Sequence, residues 1–455
     1  MTAASPAASG APAVFTVGST MRHVIVMTAT GSVGLMAIFV VDLISLYWVS
    51  KLGEEALKAA VGYASQILFL AMAANIGMTI AISATTSRAL GEGDRTVARR
   101  LAASGLAIAT ILAAAISVAL FVFRDPILAG GLHAEGRAAE VASGFLAISL
   151  PANVFMMLGM GYSGVLRAAG DARRAMFVTL AGGVVTAFTD PLLIFGLGLG
   201  VYGAAWATVI SRLVFFGVGL YGAVGVHGLV GRFDWAATRR DFKAVMTIGL
   251  PAMLANLATP VSAIYVVSVL SNLGVFAVAA NTIVDRVIPV LFGVIFALTG
   301  SIGPILGQNL GAGLAGRVRR AVTDAFALAV GYALAAWALL ALAAPLVVSA
   351  FDARGPSAEV VLFYCHFGVC AWVFVTCLFV ANTVFNNLGF PFLSMAFNWG
   401  RATLGTIPFV TLGARWGGAQ GAMLGIAAGA ALFGLTGVAV AYWATSRVAR
   451  SMKSV

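Results

Sequence analysis

The feature that most constrains this chain is a motif that occurs twice, with an offset of 220 residues. Residues 90–100 read LGEGDRTVARR and residues 310–320 read LGAGLAGRVRR. Each copy lies between an apolar segment that ends and another that begins. Because many secondary transporters are built from two related helical halves with a site between them, the repeat predicts a duplicated membrane protein.

The composition agrees with a chain that spans a membrane many times. Hydrophobic residues make up 61% of the 455 residues, charged residues only 9%, and the mean hydropathy is +1.01. Soluble domains carry about 25% charged residues. Since a membrane helix needs roughly 20 apolar residues, the chain is predicted to contain twelve spans. They cover residues 22–50, 57–88, 96–123, 139–166, 172–197, 203–226, 242–272, 277–307, 318–350, 358–387, 392–413 and 418–445.

The repeat divides these spans into two sets of six that start on the same side of the membrane. We predict an N-lobe over residues 22–226 and a C-lobe over residues 242–446, joined by a cytoplasmic linker over residues 227–241. Residues 1–21 and 447–455 are predicted to be cytoplasmic tails, the first of them flexible. The fold class is therefore an all-α polytopic membrane protein with two pseudo-symmetric six-helix lobes.

The net charge of +11 follows the predicted topology. Of the 27 Lys and Arg residues, 18 lie in the N-terminal segment, the loops after even-numbered spans and the C-terminal tail, and six lie on the other side. In this count Arg167 belongs to the loop after span four. The positive-inside rule then places both termini in the cytoplasm of a bacterial inner (plasma) membrane. Anionic lipid headgroups, rather than a nucleic acid, are the expected neighbours of this charge.

Two acids stand inside the predicted spans of the first half. Asp42 lies in span one and Asp190 in span five, whereas the matching positions of the second half, Ala263 and about Pro408, are not ionisable. An acid at bilayer depth costs about 2.5–3.5 kcal/mol and usually lines a cavity or relay. At about 1.5 Å per residue both acids lie some 10–12 Å from the outer surface. We therefore predict that they share one functional pocket.

Polar residues at similar depth extend this pocket. Thr186 precedes Asp190 by one turn and Thr208 lies in span six, so their hydroxyl oxygens are candidate ligands of a cation. A hydroxyl bonded to its own backbone is the structural alternative for each Thr. A buried pair that fixes helix packing is the alternative for the charged residues. The candidate charge partners are Arg212, Asp285 and Arg286.

The walls of a substrate cleft are less visible in the sequence. Flexible Met and aromatic side chains suit a site that accepts different apolar ligands, although the same residues also pack helix cores. The candidate cleft residues are Phe155, Met156, Met157, Asn256, Phe292 and Phe296. The chain has no HExxH or GxSxG motif, and its four His residues are scattered. We therefore expect a protein that is not an enzyme and has no cofactor.

Together these motifs resemble the multidrug and toxic compound extrusion (MATE) family. The similarity rests on Val41-Asp42 followed by residues 49–53 (VSKLG), on the two Leu-Gly-x-Gly loops that end in Arg-Arg, and on Asp190-Pro191 followed by residues 199–208 (LGVYGAAWAT). It covers residues 22–446. The resemblance implies twelve helices in two lobes around a central cleft. It also implies export of lipophilic, often cationic, compounds in exchange for protons or sodium ions.

Acids in spans one and five resemble the DinF-like branch of that family. The resemblance implies a cation site in the N-lobe formed by Asp42, Asp190, Thr208 and, where the branch has Asn, Thr186. This replacement leaves the choice between H⁺ and Na⁺ open, with Asp42 and Asp190 as the ligands of any Na⁺. The NorM-like branch has acids near Asn256 and in span ten, and this chain has neither.

The sequence thus predicts a secondary active antiporter for xenobiotics that uses H⁺ or Na⁺ and works as a monomer, because one chain supplies both lobes. The alternative is a lipid-linked precursor flippase of the same superfamily. Such a protein should line its cleft with several cations, whereas only Arg212, Arg286 and Arg401 lie away from the span ends, at intramembrane depth.

Overall fold

A computed structural model describes residues 13–452, apart from the side chains of Asp42, Leu46 and Glu55. In this range the chain is almost entirely helical and contains no β-strand. The helices are α1 (Thr20–Ser50), α2 (Glu55–Gly91), α3 (Arg95–Val122), α4 (Arg124–Pro126), α5 (Gly136–Ser149), α6 (Asn153–Ala168), α7 (Ala172–Pro191), α8 (Val201–Leu220), α9 (Trp235–Ser271), α10 (Val275–Gly311), α11 (Ala315–Ala350), α12 (Pro356–His366), α13 (Ala371–Leu388), α14 (Pro391–Ala402) and α15 (Ile407–Ser451).

These helices form twelve crossings of the membrane. Within the described residues ten helical stretches are long and apolar enough to cross, and α5 with α6 forms one more crossing that bends by 52°. The last stretch, Pro391–Ser451, has 61 residues and leaves the helical conformation at Gly417 and Gly418. Since about 20 residues suffice for one crossing, this stretch crosses twice. The two ends of the described chain therefore lie on one face, which we call the terminal face.

Two helices extend far into segments that were predicted to be linker or tail. Helix α9 begins at Trp235, inside the predicted linker, because the Asp234 carboxylate accepts a hydrogen bond from the Ala236 N–H at 2.9 Å and caps the helix. Helix α15 continues to Ser451, through most of the predicted C-terminal tail. The connection between the lobes is therefore shorter than the sequence suggested.

The repeated motif joins the two lobes at the terminal face. A Cβ atom on Gly91 of α2 would lie 2.7 Å from the Cα and carbonyl carbon of Gln308 in α10. Reciprocally, a Cβ on Gly311 would lie 3.0 Å from the carbonyl carbon of Arg88 and 2.9 Å from the Glu92 nitrogen. The two contacts are equivalent under the 220-residue offset, which relates Gly91 to Gly311 and Arg88 to Gln308, so the lobes meet about a pseudo-two-fold axis, as in an isologous interface. The glycines let the two backbones touch.

The segment before α1, which was predicted to belong to a flexible tail, is packed between the lobes from residue 13 onward. The Phe15 ring is 1% exposed. Its N–H donates to Gln308 Oε1 at 2.8 Å, and its carbonyl accepts from Asn309 Nδ2 at 3.1 Å and Arg317 Nη2 at 2.9 Å. Gln308 in turn donates to the Ala168 carbonyl at 2.7 Å. Hydrogen bonds from the C-lobe therefore fix this segment, which we call the N-terminal plug (residues 13–19), and on the N-lobe side a Cβ on Gly170 would lie 3.0 Å from Val14.

Span four is broken, and polar side chains from other helices stabilise the break. Arg212 of α8 donates to the Ser149 carbonyl, at the end of α5, at 2.6 Å. At the start of α6, Asn153 accepts from Asn75 at 2.9 Å and donates to Ser117 at 3.1 Å. A helix end inside the membrane leaves backbone groups without partners. Arg212 therefore supplies a cation where the helix dipole is negative.

The loop before α7 carries an acid with three donors. Asp171 accepts from the Arg174 N–H at 2.9 Å, from His227 Nε2 at 2.8 Å and from Arg174 Nη1 at 2.5 Å. Burial raises the pKa of Asp171, but these hydrogen bonds and the Arg174 charge outweigh it and hold the pKa below its usual value. The contact to His227 ties this loop to the segment that joins the lobes.

Candidate ion-coupling site and cleft

The acid of span five lies fully buried at the contact between α7 and α1. Asp190 is 1% exposed, and its Oδ2 accepts a hydrogen bond from the Ser45 hydroxyl of α1. Its other oxygen, Oδ1, has no partner within the described part of the chain. Since buried polar atoms in folded proteins nearly always have a partner, a free carboxylate oxygen at this depth is suited to take a proton or a cation.

Helix α7 is irregular directly after this acid. Pro191 has no N–H to donate, and residues Leu192–Gly196 continue as a π-helical turn. Proline and π-turns are two recognised causes of bends in helices. The acid therefore stands at a point where the helix already departs from regular geometry.

The other predicted acid stands one turn from the Ser45 contact. Asp42 precedes Ser45 by three residues in α1, which places both on neighbouring positions of one helix face. The side chain of Asp42 lies outside the described residues. Helix geometry alone thus brings the Asp42 backbone to the side of α1 that meets Asp190.

The two predicted hydroxyl ligands donate to their own helices. Thr186 donates to the Gly182 carbonyl at 3.0 Å and Thr208 to the Ala204 carbonyl at 3.0 Å. Among the described residues no hydrogen bond joins either side chain to Asp190. The serine that does contact Asp190, Ser45, was missed in the sequence because it shares only the helical spacing with Asp42.

The predicted charge partners lie elsewhere. Arg212 binds the Ser149 carbonyl, and in the described range no ion pair joins it to Asp190. Asp285 accepts from Asn281 at 2.9 Å within α10 of the other lobe, and its neighbour Arg286 is exposed. Neither Arg212 nor the Asp285-Arg286 pair contacts the buried acid in this arrangement.

The candidate cleft residues divide into packed and accessible side chains. Met157 and Phe292 are 1% and 0% exposed and belong to helix cores. Phe155, Met156 and Asn256 are half-buried, and Asn256 donates to the Ala252 carbonyl of its own helix at 2.7 Å. Phe296 is 36% exposed. The list therefore mixes lobe packing with groups that a ligand could touch.

The C-lobe presents an aromatic cluster around Phe296. Its ring centroid lies 5.6 Å from that of Phe379 and 6.5 Å from that of Trp372, and Trp372 stacks on Phe292 at 4.8 Å. Trp372 and Phe379 lie in α13 and were not selected from the sequence. Their spacing of seven residues, two turns on one helix face, is a signal that could have identified them.

A half-buried arginine was also missed. Arg167 was predicted in the loop after span four, but it lies in the last turn of α6. Its Nη1 donates to Ser163 Oγ at 3.0 Å and its Nε has no partner among the described residues. A Cβ atom on Gly300 of α10 would lie 3.9 Å from this Nε. The guanidinium therefore points back into the protein, between the two lobes.

The described residues contain no group of three or more His, Cys, Asp or Glu side chains arranged to hold a metal ion.

The family of the chain follows from its repeat. The MatE family model matches residues 31–192 and again residues 251–412, with the 220-residue offset of the Leu-Gly motifs. The chain belongs to the MatE family. It is accordingly a membrane transporter and not an enzyme. The same offset places Ser262 and Val410, rather than Ala263 and Pro408, opposite Asp42 and Asp190, and neither residue is ionisable.

Individual MatE relatives cover most of the chain. The FAD transporter of Shewanella oneidensis is 28% identical over 440 residues, which cover 95% of this chain and 96% of that protein. A probable multidrug resistance protein NorM of Thermotoga maritima is 27% identical over 274 residues, 58% of each chain. These MatE-family relatives handle small molecules.

Solved structures show the same fold. The Vibrio cholerae MATE transporter VcmN, in a mutant form, aligns with a TM-score of 0.87 at 23% identity over 95% of this chain and 97% of that one. A transporter of the MOP superfamily from Pyrococcus furiosus aligns with a TM-score of 0.89 at 21% identity, over 95% and 98% of the two chains. The prediction of twelve helices in two lobes around a central cleft is confirmed.

Proposed function

We propose that this MatE transporter is a secondary active antiporter that exports small organic molecules in exchange for H⁺ or Na⁺. The coupling ion is taken up by Asp190, with Asp42 as the second acid. The observation that carries the proposal is the fully buried carboxylate of Asp190, whose Oδ1 lacks a partner among the described residues. An isolated carboxylate charge is costly in such a place, and a bound proton or Na⁺ removes that cost.

Helix α1 links this acid to the other lobe. Ser45 of α1 holds Asp190, and further along the same helix a Cβ on Gly31 would lie 3.5 Å from Ala297 of α10. Met36 and Phe39 approach Gly293 of α10 in the same way. A change in charge at Asp190 that shifts α1 therefore also alters the contacts of α1 with α10 at the interface between the lobes. Pro191 and the π-turn after it give α7 a place to bend.

The ion gradient supplies enough free energy for export. A proton that moves down a gradient of one pH unit releases about 1.36 kcal/mol. Each elementary charge that crosses 100 mV releases about 2.3 kcal/mol. One or two ions per cycle therefore sustain a concentration ratio of tenfold or more for the cargo.

Location and topology follow from the same proposal. We infer a bacterial inner membrane with both termini in the cytoplasm, because the excess of Lys and Arg lies on the terminal face. The terminal face is the closed face in this structure, with the Leu-Gly contacts and the N-terminal plug between the lobes. Cargo on its way out would therefore leave from the state described here.

A lipophilic cation, as the sequence predicts, is one candidate cargo. The relatives have names that range from multidrug resistance to FAD transport. Asp190 itself is too deeply buried to contact a cargo in this state. These observations support only a small organic molecule as the cargo.

The test uses purified protein in proteoliposomes. Efflux of a fluorescent dye is measured under an imposed pH gradient and, separately, under a Na⁺ gradient, for wild type, Asp190→Asn and Thr189→Ala. Thr189 neighbours Asp190 but donates to its own backbone at Val185, at 2.8 Å, and is the matched control. We expect one gradient to drive flux in wild type and Thr189→Ala, and Asp190→Asn to abolish the response.

The outcomes separate the alternatives. Gradient-driven flux that persists in Asp190→Asn would refute coupling at this acid. Movement of a lipid-linked pyrophosphate that is independent of both gradients would instead support the flippase that the sequence left open.

A further inference from the structure

The direction of the Arg167 side chain is unusual for its position. Arg167 stands one residue before the end of α6, close to the terminal face, where the Ala168 carbonyl meets Gln308. A long cationic side chain near the end of a membrane helix normally extends outward to water and headgroups. This one turns inward to Ser163 and Gly300 instead. Gly300 lies eight residues before Gln308, roughly 12 Å farther from the terminal face along α10.

No carboxylate that the structure describes compensates this charge. Among the described residues Arg167 has no ion pair, and its Nε is both buried and without a partner. Asp285 is fifteen residues away along α10, roughly 22 Å, and Arg286 follows it directly. On α1, Gly31 lies near the level of Arg167, because it approaches Ala297, three residues before Gly300. Ser45, which contacts Asp190, is fourteen residues farther along α1, roughly 21 Å away. The acids of the ion site are thus too distant to pair with Arg167.

Arg167 lies on the accessible face of α6. Met156, Met160, Ser163 and Arg167 follow one another at the spacing of a single helix face, and three of them are half-buried rather than buried. Across the gap, Gly300 is also partly accessible and Phe296 stands one turn from it. Phe296 forms the aromatic cluster together with Trp372 and Phe379. One face of α10 therefore carries both Gly300, which approaches the guanidinium, and Phe296, one turn farther along the helix.

We propose that Arg167 binds the anionic group of the cargo, so that this transporter carries an organic anion with a planar ring. The guanidinium presents free N–H donors to a phosphate or carboxylate oxygen, Ser163 holds it in place, and the ring packs on Phe296. This inference rests on the proposed export function and names the class of its cargo.

The test compares two ligands that differ only in charge. Riboflavin and riboflavin 5′-phosphate (FMN) share one planar ring, and their binding to the solubilised full-length protein is measured by flavin fluorescence without any ion gradient. We expect wild type to bind FMN at least about tenfold more tightly than riboflavin, a ratio equal to about 1.4 kcal/mol. Arg167→Gln should bind both flavins equally, and Arg167→Lys should keep part of the preference.

A second pair of variants tests the role of the positive charge without a substitution at Arg167. A Cβ on Gly300 contacts only the Arg167 Nε, at 3.9 Å, so Ala is accommodated there. Gly300→Asp places a carboxylate against the guanidinium and should abolish the preference for FMN, whereas Gly300→Ala should retain it. This pair tests the proposal even where Arg167→Gln fails to fold.

Three results would overturn the inference. They are equal binding of the two flavins by wild type, no binding of FMN at all, or a preference for FMN that survives in both Arg167→Gln and Gly300→Asp. Because binding is measured without a gradient, a failure of ion coupling at Asp190 would not affect this outcome.

Discussion

The contact between the two Leu-Gly motifs gives a direct way to shift the conformational equilibrium. In Gly311→Ala the new Cβ would overlap the Arg88 carbonyl oxygen, its nearest neighbour, and would lie 2.9 Å from the Glu92 nitrogen and 3.0 Å from the Arg88 carbonyl carbon. Ordinary contacts of this kind are about 3.5–4.0 Å long, so α2 and α10 must separate by at least half an ångström. Overpacking of this kind costs about 1–3 kcal/mol.

This penalty falls only on the state in which the terminal face is closed. Helix propensity favours Ala over Gly by about 1 kcal/mol, but it acts equally on both folded states and cancels. The ratio of open to closed terminal face should therefore rise about 5–150-fold. Gly91→Ala acts on the symmetric contact and should give a similar shift. The double variant should add little more, because one separation relieves both overlaps.

The shift is measurable as a distance across the terminal face. Spin labels at Thr96 and Arg320, both exposed, report the separation of the lobes in a background without the three native cysteines. We expect a longer-distance population to grow in Gly311→Ala. The matched control is Gly331→Ala in α11, where a Cβ meets nothing within 4 Å. An unchanged distance distribution in Gly311→Ala would refute the role of this contact as the closure between the lobes.

Three further substitutions test two packing contacts and one hydrogen-bonded acid. Phe15→Ala removes the buried ring of the N-terminal plug, a change that costs about 3–5 kcal/mol in a core, and should open the terminal face by the same distance measurement. Gly429→Ala would bring a Cβ to 2.5 Å from the carbonyl carbon of Gly405, in the turn between α14 and α15. It should lower the thermal midpoint of the solubilised protein, whereas Gly331→Ala should not. Asp171→Asn should destabilise at neutral pH, because the ionised Asp171 has a lowered pKa in the folded state. That deficit should shrink as the pH falls below about 4, where the carboxylate of the wild type also becomes protonated, and a deficit that stays constant with pH would contradict this account.

The helices and the repeat could be predicted because both are local properties of the sequence. Runs of apolar residues define the spans, and the Leu-Gly motifs mark matching places in the two halves. What the sequence did not reveal are contacts between distant residues. The N-terminal plug contains small and apolar residues typical of a tail, and its partners Gln308 and Arg317 are about three hundred residues away.

The direction of a side chain was equally hidden. Arg167 stands at the end of a span, where a count of charges assigns it to the loop, and only its contacts with Ser163 and Gly300 show that it points inward. Arg212 was predicted to pair with the acids, but it donates a hydrogen bond to the Ser149 carbonyl at the broken helix instead. In both cases the position along the chain indicated how deep in the membrane the arginine lies, but not which group its side chain contacts.

The separation of charges argues for a particular kind of coupling. In a transporter where ion and cargo compete for one acid, neutralising the acid displaces a cationic cargo directly. Here the buried acid lies about 21 Å along α1 from the level of Arg167, and a bound ion at Asp190 would not repel an organic anion. A ligand shifts an equilibrium only through its different affinities for the two states. Under these two proposals, exchange proceeds through the lobes themselves, with α1, which contacts both Asp190 and α10, as the element that carries the change.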